Sequence, residues 1–155
     1  MTRKTRHALA SVLVAAVALG GVSMARSGPE GSDAIKARQE VMETIGEAIN
    51  ALAAIAKNEA PFDAGAIKDN AETIADHLKM AATLFPEGSD KGNVETWAKP
   101  EIWADRAGFE KRLQAAQASA VALQSVTEEA AFRPALGALG NNCKACHDKY
   151  RRPKD

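Results

Sequence analysis

The sequence predicts an all-α protein, an antiparallel four-helix bundle. Three observations predict it. Apolar residues recur at steps of three and four through four long stretches, the period of a helix with one buried face. No stretch shows the apolar–polar alternation of a half-buried strand. Most prolines and several capping residues fall between the stretches. Helices with one apolar face each and mostly short connections pack as an up-and-down bundle.

The chain opens on a different kind of segment. Arg3, Lys4 and Arg6 precede an apolar run from Ala8 to Val22, and Ser23-Met24-Ala25 offers small residues at a cleavage site. That is the pattern of a secretory signal, residues 1–25, and its form suggests a bacterial periplasm. An uncleaved anchor is the alternative, but the apolar run is short for the ~20 residues of a bilayer span. Cleavage leaves residues 26–155, about 130 residues, one ordinary domain with no membrane anchor.

After Pro29 and Gly31, Ser32 or Asp33 can cap the first helix. Its stripe reads Ile35, Arg38, Met42, Ile45, Ile49, Leu52 and Ala56, and it ends before Asn58. Asp63 can cap the second, with the stripe Ile67, Ala71, Ile74, Leu78, Ala81 and Phe85, stopped by Pro86. Glu87 to Lys99 is a polar loop, long for a bundle. Pro100 suits the first turn of the third helix, whose stripe is Ile102, Arg106, Phe109, Leu113, Ala116, Ala120 and Leu123. Ser125 or Thr127 can open the fourth, and Ser125 with Glu128 fits a capping box. Its stripe runs Phe132, Leu136, Leu139, Cys143, Cys146, Tyr150; Pro134, Gly137 and Gly140 predict a kink or a late start.

That last stripe carries the chemistry. Cys143-Lys144-Ala145-Cys146-His147 is the c-type haem attachment pattern. On a helix the two thiols and the imidazole share one side, so both thiols can bond one haem edge while His147 reaches the iron. A redox dithiol is one rival, but such sites sit in a βαβ setting. A structural zinc is another, and it wants four ligands. The chain has two cysteines and three histidines, one of them in the export segment. Export also fits the cysteines, since free thiols outside the cytoplasm tend to pair unless they are ligated.

Two residues on the stripe of the first helix carry a second reading, and Arg38 among them breaks its apolar run. Arg38 either snorkels at the bundle end or pairs with a haem propionate. Met42, one turn inward, is either core or a thioether ligand on the second side of the iron. His77 lies off the stripe of the second helix and reads as a surface histidine; bis-histidine ligation would have to use it. Trp97 and Trp103 flank the long loop and can wall a haem edge or simply pack. Loss of the signal's three positive charges from a balanced 20 and 20 leaves a mildly acidic chain, so nucleic acid is not an expected partner. Arg151, Arg152 and Lys154 suit a helix C-terminus. No Ser-His-Asp set, paired-carboxylate cleft or phosphate loop stands out, so no substrate-converting enzyme is expected.

The chain resembles a class II cytochrome c, the family of cytochrome c′ and its low-spin relatives. The resemblance rests on Arg38 to Gly46, Ala60-Pro61-Phe62-Asp63, Pro100-Glu101-Ile102-Trp103, and Cys143 through Arg151, and it covers the whole mature chain. It implies one covalent haem c on Cys143 and Cys146, His147 as proximal iron ligand, and Arg38 and Gln39 near the haem. Met42 falls at the distal position, where the family divides. Cytochrome c′ proper keeps a noncoordinating residue there, with a five-coordinate iron open to nitric oxide or carbon monoxide. Low-spin members bind a methionine to the iron. The run Met42 to Gly46 resembles the low-spin members, although five-coordinate members with methionine at this site also exist. The expectation is therefore a periplasmic one-electron carrier with His147 and Met42 as axial ligands, serving periplasmic redox partner proteins. The alternative is a five-coordinate protein binding small gases. Either a monomer or a homodimer is compatible with the resemblance.

Overall fold

The computed structural model describes residues 31–153. Residues 1–25, read above as a secretory signal, and Lys154 lie outside them. Five helices follow one another: α1 (Gly31–Ala56), α2 (Ala64–Ala81), α3 (Glu101–Ala104), α4 (Arg106–Leu123) and α5 (Glu129–Tyr150). The architecture is a four-helix bundle in which α3 and α4 together fill the third position. The described residues contain no strand, and a single isolated bridge joins Ala98 to Arg151.

The buried stripe of α1 differs from the predicted one by a rotation. The residues in the core are Ala34, Arg38, Val41, Ile45, Ala48, Leu52 and Ile55, together with Ile35. Met42, Ile49 and Ala56 are only partly buried. The reason is that α1 presents two adjoining faces: one packs into the bundle core, and the other turns Met42 and Ile49 into a cavity. Ser32 does not cap the helix from outside. It lies in the first described turn, and its hydroxyl accepts the Asn93 amide at 2.9 Å. Helix α1 ends in a Schellman arrangement. The Glu59 amide returns to the Ala54 carbonyl, the Asn58 amide returns to Ile55, and Asn58 takes φ 60°, a left-handed conformation that asparagine tolerates.

Asp63 caps α2 as expected, accepting from the Gly65 and Ala66 amides. The helix stops at Ala81, before Pro86, yet Phe85 stays buried in the connection that follows. The third predicted helix breaks at Asp105, which ends α3 and caps α4 through the Gly108 amide at 3.1 Å. Arg106 is on the predicted stripe but is not core. Its guanidinium caps the end of α2, donating to the Phe85 and Ala82 carbonyls, and pairs with Glu110. No capping box opens α5. The helix begins at Glu129, Glu128 makes no side-chain cap bond, and Pro134 sits inside the second turn.

Helix α1 packs along α2, α2 along α4, and α4 along α5, whereas α1 and α5 barely touch. The bundle is therefore parted along one seam. No described helix is long and apolar enough to cross a membrane.

Candidate functional site

The parted seam opens a cavity of about 970 Å³ between α1 and α5. That is at the upper end of the ~300–1,000 Å³ usual for cofactor and small-molecule sites. Its floor is apolar, formed by Leu78, Phe85, Ile102, Phe109, Leu113 and Ala116.

Helix α5 supplies one wall through Cys143, Cys146 and His147. The helical repeat brings the three to one side, as the sequence predicted. Neither cysteine is in a disulfide; Cys146 is buried and Cys143 partly so. Burial raises both thiols above their usual range, with Cys146 pushed up to about 11 by burial first and Cys143 second. Burial, and then the neighbouring charge of Arg151, lowers the His147 pKa and favours the neutral imidazole that binds iron.

The end of α5 is fastened from outside. The Lys99 amide donates to the Tyr150 carbonyl at 3.0 Å, and the Arg152 amide donates to Trp97 at 2.7 Å. The Arg152 guanidinium also donates to the Thr96 carbonyl. Asp105 accepts from the Tyr150 hydroxyl at 3.0 Å and from Lys149 at 2.6 Å. Those bonds, with the Lys149 bond the largest cause, hold the Asp105 carboxyl below its ordinary range. The tail thus does more than place positive charge at a helix end: Arg152 binds the loop backbone, and Arg151 lines the cavity.

Helix α1 supplies the opposite wall. Met42, Ile45, Gly46 and Ile49 face the cavity, with Glu43 and Glu47 exposed at its rim. Met42 and His147 therefore line the same space from opposite helices. Gln39 lines it too, and its amide donates to the Glu95 carbonyl at 2.8 Å.

Arg38 also lines the cavity, but it does not snorkel: the residue is 3% exposed. Its Nη2 donates to the Ser89 carbonyl and Thr96 Oγ1, both at 2.8 Å, and its Nη1 to Ser89 Oγ at 3.2 Å and the Leu84 carbonyl at 3.4 Å. Its guanidinium lies over Phe85, 4.9 Å from the ring centre. Desolvation lowers its pKa to about 10, so it stays charged at neutral pH. Arg38 closes the 87–99 loop over one end of the cavity. No carboxylate of the described residues forms an ion pair with it.

His77 lines a separate, smaller pocket with Glu40 and Met80, and its Nδ1 sits 2.8 Å from the Thr73 carbonyl. It is not placed for bis-histidine ligation in the main cavity. The two tryptophans part company. Trp97 lines the cavity, whereas Trp103 packs edge-on against Phe85 and donates from Nε1 to the Pro86 carbonyl. Among the described residues, no group of three or more His, Cys, Asp and Glu side chains is arranged to hold a bare metal ion, as a zinc site would need. Sequence reasoning missed Thr96, Gly46, Gly140 and Tyr150 as cavity residues. A signal existed for three of them: Gly46 is one turn from Met42, Gly140 is three residues before Cys143, and Tyr150 is three after His147.

Two thiols and a neutral imidazole on one wall of a large apolar cavity are a donor set that fits a covalently held haem. The family model described as Cytochrome C′ matches residues 33–151. The chain belongs to the cytochrome c′ family. It is a haem c protein with one covalent haem. Among its relatives, cytochrome c′ of Rhodopseudomonas palustris is 36% identical over 124 residues, covering 79% of this chain and 84% of that protein. Cytochrome c-556 of Agrobacterium fabrum is 36% identical over 122 residues, 77% of this chain and 82% of that protein. Among solved structures, a nitric oxide complex of a mutant cytochrome c prime from Alcaligenes xylosoxidans superposes with a TM-score of 0.73. It is 33% identical and covers 82% of this chain and 99% of that one. These findings exclude the redox-dithiol and zinc readings of the cysteine pair.

Proposed function

We propose that this chain is a periplasmic haem protein that binds a small diatomic gas, nitric oxide or carbon monoxide, on the Met42 side of its haem. Cys143 and Cys146 hold the haem through thioether bonds, and His147 is the proximal ligand. When bound, the haem supplies an iron that can take a gas at an open sixth position or exchange one electron. The chain's own residues do the rest. His147 is kept neutral by burial, the 150–152 segment fixes the helix end beside it, and the apolar floor excludes water.

One observation carries this reading. The centre of the wall facing His147 is apolar, made of Met42, Ile45 and Ile49 around Gly46, with Glu43, Glu47 and Asn50 exposed at its rim, and the wall offers no second imidazole. Such a wall suits a small uncharged ligand better than water or an anion. The solved nitric oxide complex of a mutant relative on this fold supports it. Gln39 and Arg38 line the end of the cavity, with Arg38 placed to lend positive charge to an anionic haem edge. The reading assigns binding rather than substrate turnover. The signal-like residues 1–25 support export, which haem attachment to free thiols also favours.

A second reading follows from Met42 itself. A thioether on the cavity wall can close the sixth position, and the chain would then pass electrons between periplasmic redox partners. Visible spectra of the holoprotein, oxidised and reduced, with and without carbon monoxide, separate the two. A high-spin spectrum that shifts on carbon monoxide is expected. A low-spin spectrum indifferent to the gas, turned high-spin by Met42→Ala, would establish the carrier instead.

A further inference from the structure

Gly46 and Gly140 lie in the middle of α1 and α5, on the two walls of the cavity. Glycine in a helix interior weakens it relative to alanine, because it gives up more backbone freedom on folding. A glycine kept there usually answers to a strained backbone or a close neighbour. Neither applies. Gly88 is the described glycine with a positive φ, so Gly46 and Gly140 have conformations that alanine adopts freely. A Cβ built on either one meets nothing within 4 Å apart from the backbone of its own helix turns and its chain neighbours. Gly31 and Gly92 make the contrast: a Cβ there would come within 2.6 Å of the Lys91 carbonyl oxygen and 2.9 Å of the Ser32 amide nitrogen.

What Gly46 does face is the cavity. It sits four residues after Met42 and three before Ile49, in the centre of the apolar wall opposite His147. A side chain at this position would stand in the space beside the Met42 thioether. We infer that Gly46 is a specificity-determining residue: by withholding a side chain it keeps the distal space wide enough for a diatomic ligand. The inference rests on the open-face reading above. Helix stability is given up at Gly46 in exchange for room next to the iron.

The test compares Gly46→Ala, Gly46→Val and Gly137→Ala with the wild type, all as holoproteins. Gly137 shares α5 but lies outside the cavity lining, so its substitution reports helix propensity alone. Carbon monoxide binding to the reduced protein is followed by stopped-flow absorbance. Gly46→Val, which adds three carbons, should weaken or slow binding by roughly tenfold or more, at least the scale of one methylene in an apolar pocket, with Gly46→Ala between it and the wild type. Gly137→Ala should leave binding unchanged. Thermal melting gives a readout independent of the gas. Gly137→Ala should raise the melting temperature of the holoprotein, whereas Gly46→Ala, whose added methyl enters the cavity, should not. If Gly46→Val fails to load haem, Gly46→Ala decides. A wild type that binds carbon monoxide beside Gly46 variants that bind it equally well overturns the role of Gly46 alone. A wild type blind to the gas overturns the open-face reading, and this inference with it.

Discussion

Replacing Arg38 with methionine tests whether one buried cation holds the long loop over the haem cavity. Methionine keeps much of the stem volume and removes the guanidinium. Of its four acceptors, two keep other partners. Ser89 Oγ still donates to the Pro86 carbonyl, and Thr96 Oγ1 still accepts from the Ala98 amide. The 3.4 Å bond to Leu84 is long and counts for little. The Ser89 carbonyl, in a residue only 1% exposed, loses its strong 2.8 Å partner, which costs about 1–3 kcal/mol. The charge-assisted bond to Thr96 and the contact with the Phe85 ring each add ~1 kcal/mol. Against this, methionine avoids desolvating a cation, a burden visible in the Arg38 pKa of about 10. The net expected loss is about 2–4 kcal/mol, which for a domain of this size lowers the melting temperature by roughly 10 °C. Arg38→Lys should recover little of it, because an ammonium lacks the fork that reaches Ser89 and Thr96 together. Urea unfolding of the holoprotein, with limited proteolysis within residues 87–99, measures both effects. A loss below ~1 kcal/mol with the loop still protected would refute the assignment of Arg38 as the loop's lock.

Replacing Cys143 and Cys146 together with alanine should leave haem extractable into acidified organic solvent, while the wild type retains it; retention by the double variant would show that these thiols do not carry it. Asp105 gives a pH dependence. Its folded pKa is lowered by Lys149, Tyr150 and the Gly108 amide, so its contribution is present above the ordinary aspartate value of about 3.9 and is lost as pH falls through the folded value. Melting temperatures between about pH 5 and 2 should fall less steeply for Asp105→Asn than for the wild type, and equal slopes would exclude Asp105 as a contributor.

Much of this was legible in the sequence because helical periodicity and the Cys-x-x-Cys-His pattern are local. The buried stripe of α2 follows from spacing alone, as do Phe132, Leu139, Cys146 and Tyr150 of α5, whereas Leu136 and Cys143 are only partly buried. The break at Asp105 is hidden because Ile102, Arg106 and Phe109 keep an unbroken helical pattern across it; the cap itself is local, from the Gly108 amide, while the second carboxylate oxygen accepts from the distant Lys149 and Tyr150. The one-residue offset of the α1 stripe has a similar origin. Met42 and Ile49 are apolar, as core residues are, but they serve a cavity. The role of Arg38 was hidden because its principal acceptors include carbonyl groups, which every residue has, so no side-chain pattern announces them. The sorting of Trp97 to the cavity and Trp103 to the core is likewise decided by where the loop is tied.

The parted seam explains why fold and cofactor are hard to separate in this chain. Three neighbouring helix pairs bury their apolar faces against each other, but Ile45 and Ile49 on α1 face Leu113 and Ala116 across a cavity instead. A haem joined to α5 places a flat apolar group against those side chains, so the free energy of burying them is gained on loading as well as on folding. For a ligand held by contacts alone, that gain would depend on its concentration. The thioether bonds proposed for Cys143 and Cys146 would remove that dependence, because the group could not be diluted away. Cys146 lies one turn and Cys143 two turns from the end of the last helix, near the Ala98–Arg151 bridge, so a haem held there would be tied to the segment that closes the bundle. Weakening that closure, through Asp105 or through the Lys99–Tyr150 bond, should therefore loosen the haem environment before it unfolds α1 and α2.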